Sequence, residues 1–309
     1  MSGAPKGGPA AAARPPMGRA EVLRIAVSMT VTCAISALVL GGVFLATERY
    51  AEEARVRGER RAVVEMLGLD SSATVLEVRQ YIVPERREVV YRTVPTDGTE
   101  GSELAFSLDG ALLRRAPVAA EAPEGKDMEP LGRLFVATRD GAPAGFVTEG
   151  ENQGYKNRIR FFVALDSRFQ VAGVRVVEHE EDPGLGAEVA TSWFQGQFVG
   201  RAASSLPSLD VTRDPMPEDW RAALRNRGRT APAEWRSRYG TLLEREASRP
   251  IYAVTGATIS SRALTDGVRA TAHHFEKRWA LLAPHLGGGA ATASAGASAE
   301  SAVAKGGTP

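Results

Sequence analysis

The hydrophobic pattern begins with a long run of residues, 25–47, in which no side chain is charged. As a helix, these 23 residues extend about 34 Å, enough to cross a hydrocarbon core of about 30 Å. A cleaved signal peptide has a shorter apolar core and a small-residue cleavage site. We therefore predict a transmembrane anchor over residues 21–47. Lys and Arg flank it in similar number on both sides, so charge alone leaves its orientation open.

A helical stalk is predicted directly after the anchor. Residues 48–69 are charged at first and then apolar at helical spacing from Val63 onward. Residues 95–130 are rich in Pro, Gly, Ala and acidic side chains, and we expect a long surface excursion there. Residues 48–130 are thus predicted to form the stalk helix and a variable α/β region.

Short β-type runs and a final helix are predicted in the second half of the chain. The runs are rich in β-branched and aromatic residues, and Asp140-Gly141 is a hairpin signal between the first two. Apolar side chains recur every three or four positions over 260–282, which predicts a helix. A meandering antiparallel sheet with flanking helices predicts an α+β domain over 131–283. The runs lie at residues 134–138, 145–148, 159–165 and 171–177.

Composition narrows the possible chemistry. Residues 1–20 and 284–309 are rich in Ala, Gly, Ser and Pro, and we expect both ends to be disordered. A formal net charge of +1 argues against a nucleic-acid binder. A single Cys and four unclustered His predict no metal site, and no Ser, His and Asp arrangement indicates catalytic residues. Eight Arg in residues 221–249 are read either as a solvated surface or as a docking face for an acidic partner or a phosphate.

Two stretches are candidate ligand-binding segments. Residues 179–186 (HEEDPGLG) follow the last β run, and are either an ordinary acidic turn or a place where glycines let the backbone approach a ligand. Residues 255–261 (TGATISS) precede the last helix. Their hydroxyls are either N-caps or part of an anion site, because a helix N-terminus offers free N–H groups. A Thr hydroxyl there is also able to carry a phosphate ester.

The two stretches together resemble a known family. Their order, about 70 residues apart and behind one predicted membrane helix, resembles the G subunit of the Rnf electron-transport complex. They are also similar to the C subunit of the sodium-translocating NADH:quinone reductase, through a shared FMN-binding domain. Gly154-Tyr155 and residues 193–198 (WFQGQF) fit the same family, and the resemblance extends over about residues 20–282. Asp182 stands where the family commonly has Thr.

The resemblance implies a covalent cofactor. FMN would be joined through its phosphate to Thr258, installed by a separate flavin transferase. The family usually has Asp six residues before the flavinylated Thr, and this chain has Tyr252 there. The cofactor-binding residues implied by the two stretches are Thr258, Thr255, Gly256, Ala257, Ser260, Ser261, His179, Glu180, Gly184, Leu185 and Gly186.

The resemblance also implies a cellular role. The domain would lie on the extracytoplasmic (periplasmic) side of the bacterial inner membrane, held by one membrane-spanning helix in the lipid. It would pass electrons within a complex that couples ferredoxin–NAD redox to ion movement, beside integral membrane and iron–sulfur subunits, and would not be a catalyst on its own. Two alternatives stay open: a membrane-anchored sensor or binding protein without covalent flavin, and a stand-alone membrane flavoprotein reductase.

Overall fold

A computed structural model describes residues 18–70, 72–94, 100–119, 125, 127–227 and 230–286. The chain divides into two compact units between Gly58 and Glu59. Most of the two predicted disordered ends lies outside the described residues. The prediction is wrong at the inner edges of these ends, because residues 19–20 begin a helix and Leu286 packs against the core of the second unit.

The first unit holds most of a long helix, α1 (Arg19–Leu67). Its segment Arg19–Leu45 is long and apolar enough to cross a membrane, by length and composition. The predicted apolar N-terminal helix is confirmed. Thr30 and Thr32 donate their hydroxyls to carbonyls one turn earlier, at 2.9 Å each, so these polar groups are satisfied within the helix.

The second unit is built on one antiparallel sheet of eight strands in the order β4-β3-β2-β1-β5-β6-β7-β8. The predicted α+β class and antiparallel sheet are confirmed, and the four predicted runs fall within β5 to β8. The strands are β1 (Thr74–Val83), β2 (Glu88–Val94), β3 (Gly101–Ser107), β4 (Leu112–Val118), β5 (Glu129–Arg139), β6 (Ala142–Gln153), β7 (Arg158–Asp166) and β8 (Val171–Glu178).

The prediction of a surface excursion over 95–130 is wrong for much of its length. Residues 101–107 and 112–118 form β3 and β4, and the buried side chains of Leu104 and Phe106 anchor β3 in the core. Residues 95–99, 120–124 and 126 lie outside the described residues. The FMN-binding domain is predicted to begin at residue 131, within β5. β1, which precedes that boundary, pairs with β5, so one continuous sheet contains strands from both sides of the boundary. The predicted division into domains stays a prediction.

Both faces of the sheet are covered. On one face lies the last helix, α5 (Thr258–Leu282), whose Phe275 and Trp279 rings pack on Phe146 with ring centroids 5.0 and 4.5 Å apart. On the other face, Val63 from the last turns of α1 packs among buried side chains that include Phe135. Burial on two sides explains why the central strands read as nearly continuous apolar runs.

A mostly helical segment lies between β8 and α5. β9 and β10 pair in parallel, and a cluster of aromatic side chains that includes Trp220 and Trp235 fills the space between α3 and α4. Arg227 stacks on Trp235 at 5.4 Å and donates to the carbonyls of Gly196 and Ala172, so the Arg-rich stretch is not uniformly solvated. The elements are α2 (Ser192–Gly196), β9 (Val211–Thr212), α3 (Glu218–Asn226), α4 (Pro232–Ala247) and β10 (Ile251–Tyr252).

Candidate functional site

The second candidate stretch forms the junction between β10 and α5. Gly256 has φ of +80°, a left-handed conformation that favours glycine, and a Cβ there would lie 3.0 Å from the Leu185 side chain. Ala257 is the N-cap and its side chain makes no capping hydrogen bond. Thr258 is therefore the first residue of a 25-residue helix whose first N–H groups are available to an anion.

The four hydroxyls of this stretch divide into two pairs. Ser261 is buried, accepts from the Val254 N–H at 3.0 Å and donates to the Ala257 carbonyl at 2.9 Å. Ser260 is buried and donates to the Glu181 carboxylate. Thr255 is exposed and Thr258 half-buried, and both line a cavity. The serines therefore hold the junction together, and the threonines are the accessible hydroxyls.

Glu181 joins the two candidate stretches. Its carboxylate, in a residue only 4% exposed, accepts the Ser260 hydroxyl and the Lys156 N–H, the latter at 3.0 Å. A Cβ on Gly186 would lie 2.5 Å from this carboxylate, and one on Gly154 would also collide with it. Glycine is therefore required at both positions, because the backbone there passes too close to the buried Glu181 carboxylate to leave room for a side chain.

The electrostatics of Glu181 agree with this geometry. Burial by itself raises the pKa of the carboxyl, but the hydrogen bonds from Ser260 and from the backbone of residues 155–157 outweigh it, and the pKa lies below its ordinary value. Glu181 is thus ionised at neutral pH. Sequence reasoning named Glu180 as a site residue and missed Glu181.

The other residues of the first stretch have different surroundings. Leu185 lies against Gly256, and Gly186 lies against Ser260, so these two residues meet the second stretch. Glu180 is exposed and accepts from the Asn157 amide at 2.7 Å. Gly184 forms a turn with φ of +74° in open space. His179 has a buried Nδ1 without a hydrogen-bond partner among the described residues.

The accessible threonines open into a cavity of about 590 Å³. Pockets for drug-sized ligands fall between about 300 and 1,000 Å³. The aromatic side chains of Trp193 and Tyr252 line it, together with apolar groups such as Met216. Three arginines also line the cavity: Arg213, Arg221 and Arg225. The last two belong to the Arg-rich stretch 221–249, whereas Arg213 lies outside it and was not singled out from the sequence.

The chemistry of this lining fits FMN, which combines a planar aromatic ring, a polyol and an anionic phosphate. Aromatic side chains offer contact to the ring, the arginines offer charge to anionic groups, and the uncapped start of α5 offers N–H donors to a phosphate. Thr258 lies at that helix start and is one of the residues that line the cavity.

Tyr252, which stands where the family usually has Asp, is 5% exposed. Its hydroxyl donates to the Glu246 carboxylate at 3.1 Å, and its backbone exchanges two hydrogen bonds with the Gln197 side chain, at 2.8 and 3.1 Å. Burial first, and the Glu246 charge second, raise the pKa of Tyr252. Position 252 is therefore a packed site that already has a carboxylate beside it.

Residues 154–273 match the FMN-binding domain family. The resemblance stated from the two stretches is confirmed. A Haemophilus influenzae protein, named as the G subunit of an ion-translocating oxidoreductase complex, is 29% identical over 119 residues, which are 37% of this chain and 51% of that protein. A Cereibacter sphaeroides protein of the same name is 33% identical over 128 residues, 39% of this chain and 52% of that protein. The chain spans about half the length of these curated relatives.

Among solved structures, Shewanella oneidensis NqrC is similar to this chain, with 16% sequence identity and a TM-score of 0.41. The match covers 73% of this chain and 99% of that one.

Proposed function

We propose that this chain is the electron-carrying flavin subunit of a membrane-bound, Rnf-type complex that couples ferredoxin–NAD redox to ion translocation, with FMN held by a phosphoester to Thr258. The observation that carries the proposal is the position of Thr258, at the uncapped start of α5 and on the wall of a cavity with aromatic and cationic lining. The FMN-binding domain and the names of the curated relatives support it.

Each part of the chain has a role in this proposal. Bound FMN supplies one- and two-electron transfer. Thr258 would tether the phosphate, the first turn of α5 would donate N–H groups to it, and Trp193 would offer contact to the ring. Glu181 fixes the helix start through Ser260. No acid–base pair is needed, because electron relay moves no proton between protein side chains and a substrate.

Intact-mass analysis of the membrane-extracted chain tests the attachment. The expected result is a single added FMN group that survives denaturation. A colourless protein of unmodified mass would favour the flavin-free binding protein, and a flavinylated chain that never co-purifies with integral membrane or iron–sulfur subunits would favour a stand-alone reductase.

We also propose that the second unit lies on the extracytoplasmic side, anchored through the apolar part of α1. The only Cys of the chain is Cys33, so no thiol after the anchor is open to oxidative cross-linking. A covalent tether also suits a compartment without free FMN.

Protease added to intact spheroplasts is expected to digest the chain after Thr47, and alkaline phosphatase fused behind Leu282 is expected to be active. A phosphatase fused before Arg19 serves as the matched control and should be inactive. Full protease protection together with an inactive Leu282 fusion would place the flavin domain in the cytoplasm.

Tyr252 is compatible with the flavin-free alternative, and substitution at this position tests that alternative. Tyr252→Asp is expected to raise flavin occupancy by a transferase from another organism, because it restores the family's acid. The same change removes a buried ring and sets a second carboxylate beside Glu246, so the melting temperature should fall by several degrees. Tyr252→Phe keeps the ring and should leave occupancy unchanged. Full occupancy of the unmodified chain would show that the acid is dispensable.

A further inference from the structure

The cavity lined by Thr255 and Thr258 carries an excess of positive charge. Three arginines line it against one carboxylate, Asp214, which gives a net lining charge of +2. Asp214 is itself hydrogen-bonded to the Thr212 hydroxyl at 2.8 Å. In the part of the chain that the structure describes, the side chains of Arg213 and Arg225 have neither a hydrogen bond nor an ion pair. Their charges are therefore available to a ligand in the cavity.

The geometry of α3 places two of these charges together. Arg221 and Arg225 are four residues apart and lie on the same face of the helix. Among the described residues, the Arg221 guanidinium has only weak partners, the Met216 carbonyl at 3.4 Å and Glu218 at 3.5 Å, and the Glu218 side chain is 76% exposed. An exposed pair of this kind contributes little and leaves the guanidinium able to turn toward a ligand.

Buried contacts fix this cationic wall in place. Trp220, Ala223 and Leu224 of α3 pack into the aromatic cluster, and the indole of Trp235 donates to the Ala223 carbonyl at 2.8 Å. Arg227, just after the helix, donates to two carbonyls and stacks on Trp235. The packing of the neighbouring apolar face thus holds the arginine face of α3 toward the cavity.

We propose that Arg213, Arg221 and Arg225 set the reduction potential of the tethered flavin by stabilising the charge that its ring gains on reduction. The inference rests on the proposed function. The oxidised ring is neutral. It accepts two electrons from two one-electron donors of the iron–sulfur class, each oxidised by one electron, and one proton from solvent, and the product carries one negative charge. A cationic wall stabilises that product more than the neutral ring and raises the potential.

Phosphate binding by the same arginines is the competing role. The proposed attachment point, Thr258, lies at the N-terminus of α5, where backbone N–H groups are available to a phosphate. The arginines come from α3 and from the segment after β9. If they served the phosphate instead, their loss would lower flavin loading and leave the potential of the loaded fraction unchanged.

The test uses the full-length chain in detergent, co-expressed with a flavin transferase, and measures flavin occupancy by intact mass and midpoint potential by spectroelectrochemistry. For the double variant Arg221→Gln, Arg225→Gln, we expect the reduced-to-oxidised ratio at a fixed potential to fall about tenfold, which is about 30 mV for a two-electron couple. The double Lys variant should keep most of the wild-type potential. The double variant Arg236→Gln, Arg238→Gln is the matched control, because it removes the same two charges from exposed positions on α4, outside the cavity lining.

The outcomes separate the two proposals. An unchanged midpoint at full occupancy overturns the charge-stabilising role, and so does lowered occupancy with an unchanged midpoint. Arg213→Gln alters an exposed side chain without internal partners among the described residues, and it should lower the midpoint in the same direction even if the double variant does not fold. A wild-type chain that never acquires flavin would instead refute the proposed function, and this inference with it.

Discussion

Thr258→Val is expected to abolish covalent flavin attachment while the protein is still expressed and folded. Valine matches threonine in shape but has no hydroxyl, so no phosphoester forms. The fold should tolerate the change because Thr258 is half-buried, and the N-cap before it, Ala257, contributes no side-chain hydrogen bond. In-gel flavin fluorescence of the denatured band and the added FMN mass should both disappear.

Two further variants make this result specific. Thr258→Ser keeps a hydroxyl and should retain a measurable fraction of the flavin. Thr255→Val removes the other accessible hydroxyl and should leave the covalent flavin in place. Flavin that persists in Thr258→Val but is lost in Thr255→Val would move the attachment site by three residues. Ser260 and Ser261 are poor substitutes, because they are buried and their hydroxyls are already hydrogen-bonded.

The half of the sheet formed by β5 to β8 could be predicted from the sequence because these strands are strongly apolar. β5 to β8 are buried on both faces, so their runs of Val, Phe and Leu give a clear signal. β3 and β4 are different, because charged side chains interrupt them and pair across strands. Glu103 on β3 binds Arg92 on β2 at 3.0 Å and Arg114 on β4 at 3.1 Å. Such cross-strand pairing is visible only when register is known, so a charged strand reads as a loop.

The site shows the same limit. The sequence indicates that the two candidate stretches belong together, and Leu185 and Gly186 do meet the start of α5. It does not distinguish Glu180 from its neighbour Glu181, because the two acids differ only in which one turns inward. The cavity arginines were also missed as site residues, since a helix face becomes a cavity wall only through the packing of Trp220 on its other side.

Glu181→Ala is expected to destabilise the second unit by about 3 kcal/mol at neutral pH, because it leaves the buried Ser260 hydroxyl and the Lys156 N–H without their acceptor. For a unit of this size the melting temperature should fall by roughly 6–12 °C. Thermal unfolding of the full chain in detergent, followed by tryptophan fluorescence, measures this. Glu180→Ala, at the exposed neighbouring acid, is the matched control and should shift the melting temperature by no more than about 2 °C.

The dependence of this effect on pH separates lost charge from lost packing. The folded-state pKa of Glu181 lies below its ordinary value of about 4.5, so the ionised carboxylate contributes stability above that pH, and the contribution is lost as the pH falls through the folded-state pKa. Glu181→Gln, which keeps the shape, should be less stable than the wild type at pH 7, and the difference should shrink steadily below pH 4.5. A constant difference between pH 7 and pH 3 would mean that the carboxylate charge has no part in holding the start of α5.

If charge does hold that helix start, Glu181→Gln should also lower flavin attachment at Thr258, because the hydroxyl is presented by the same turn that Glu181 fixes through Ser260.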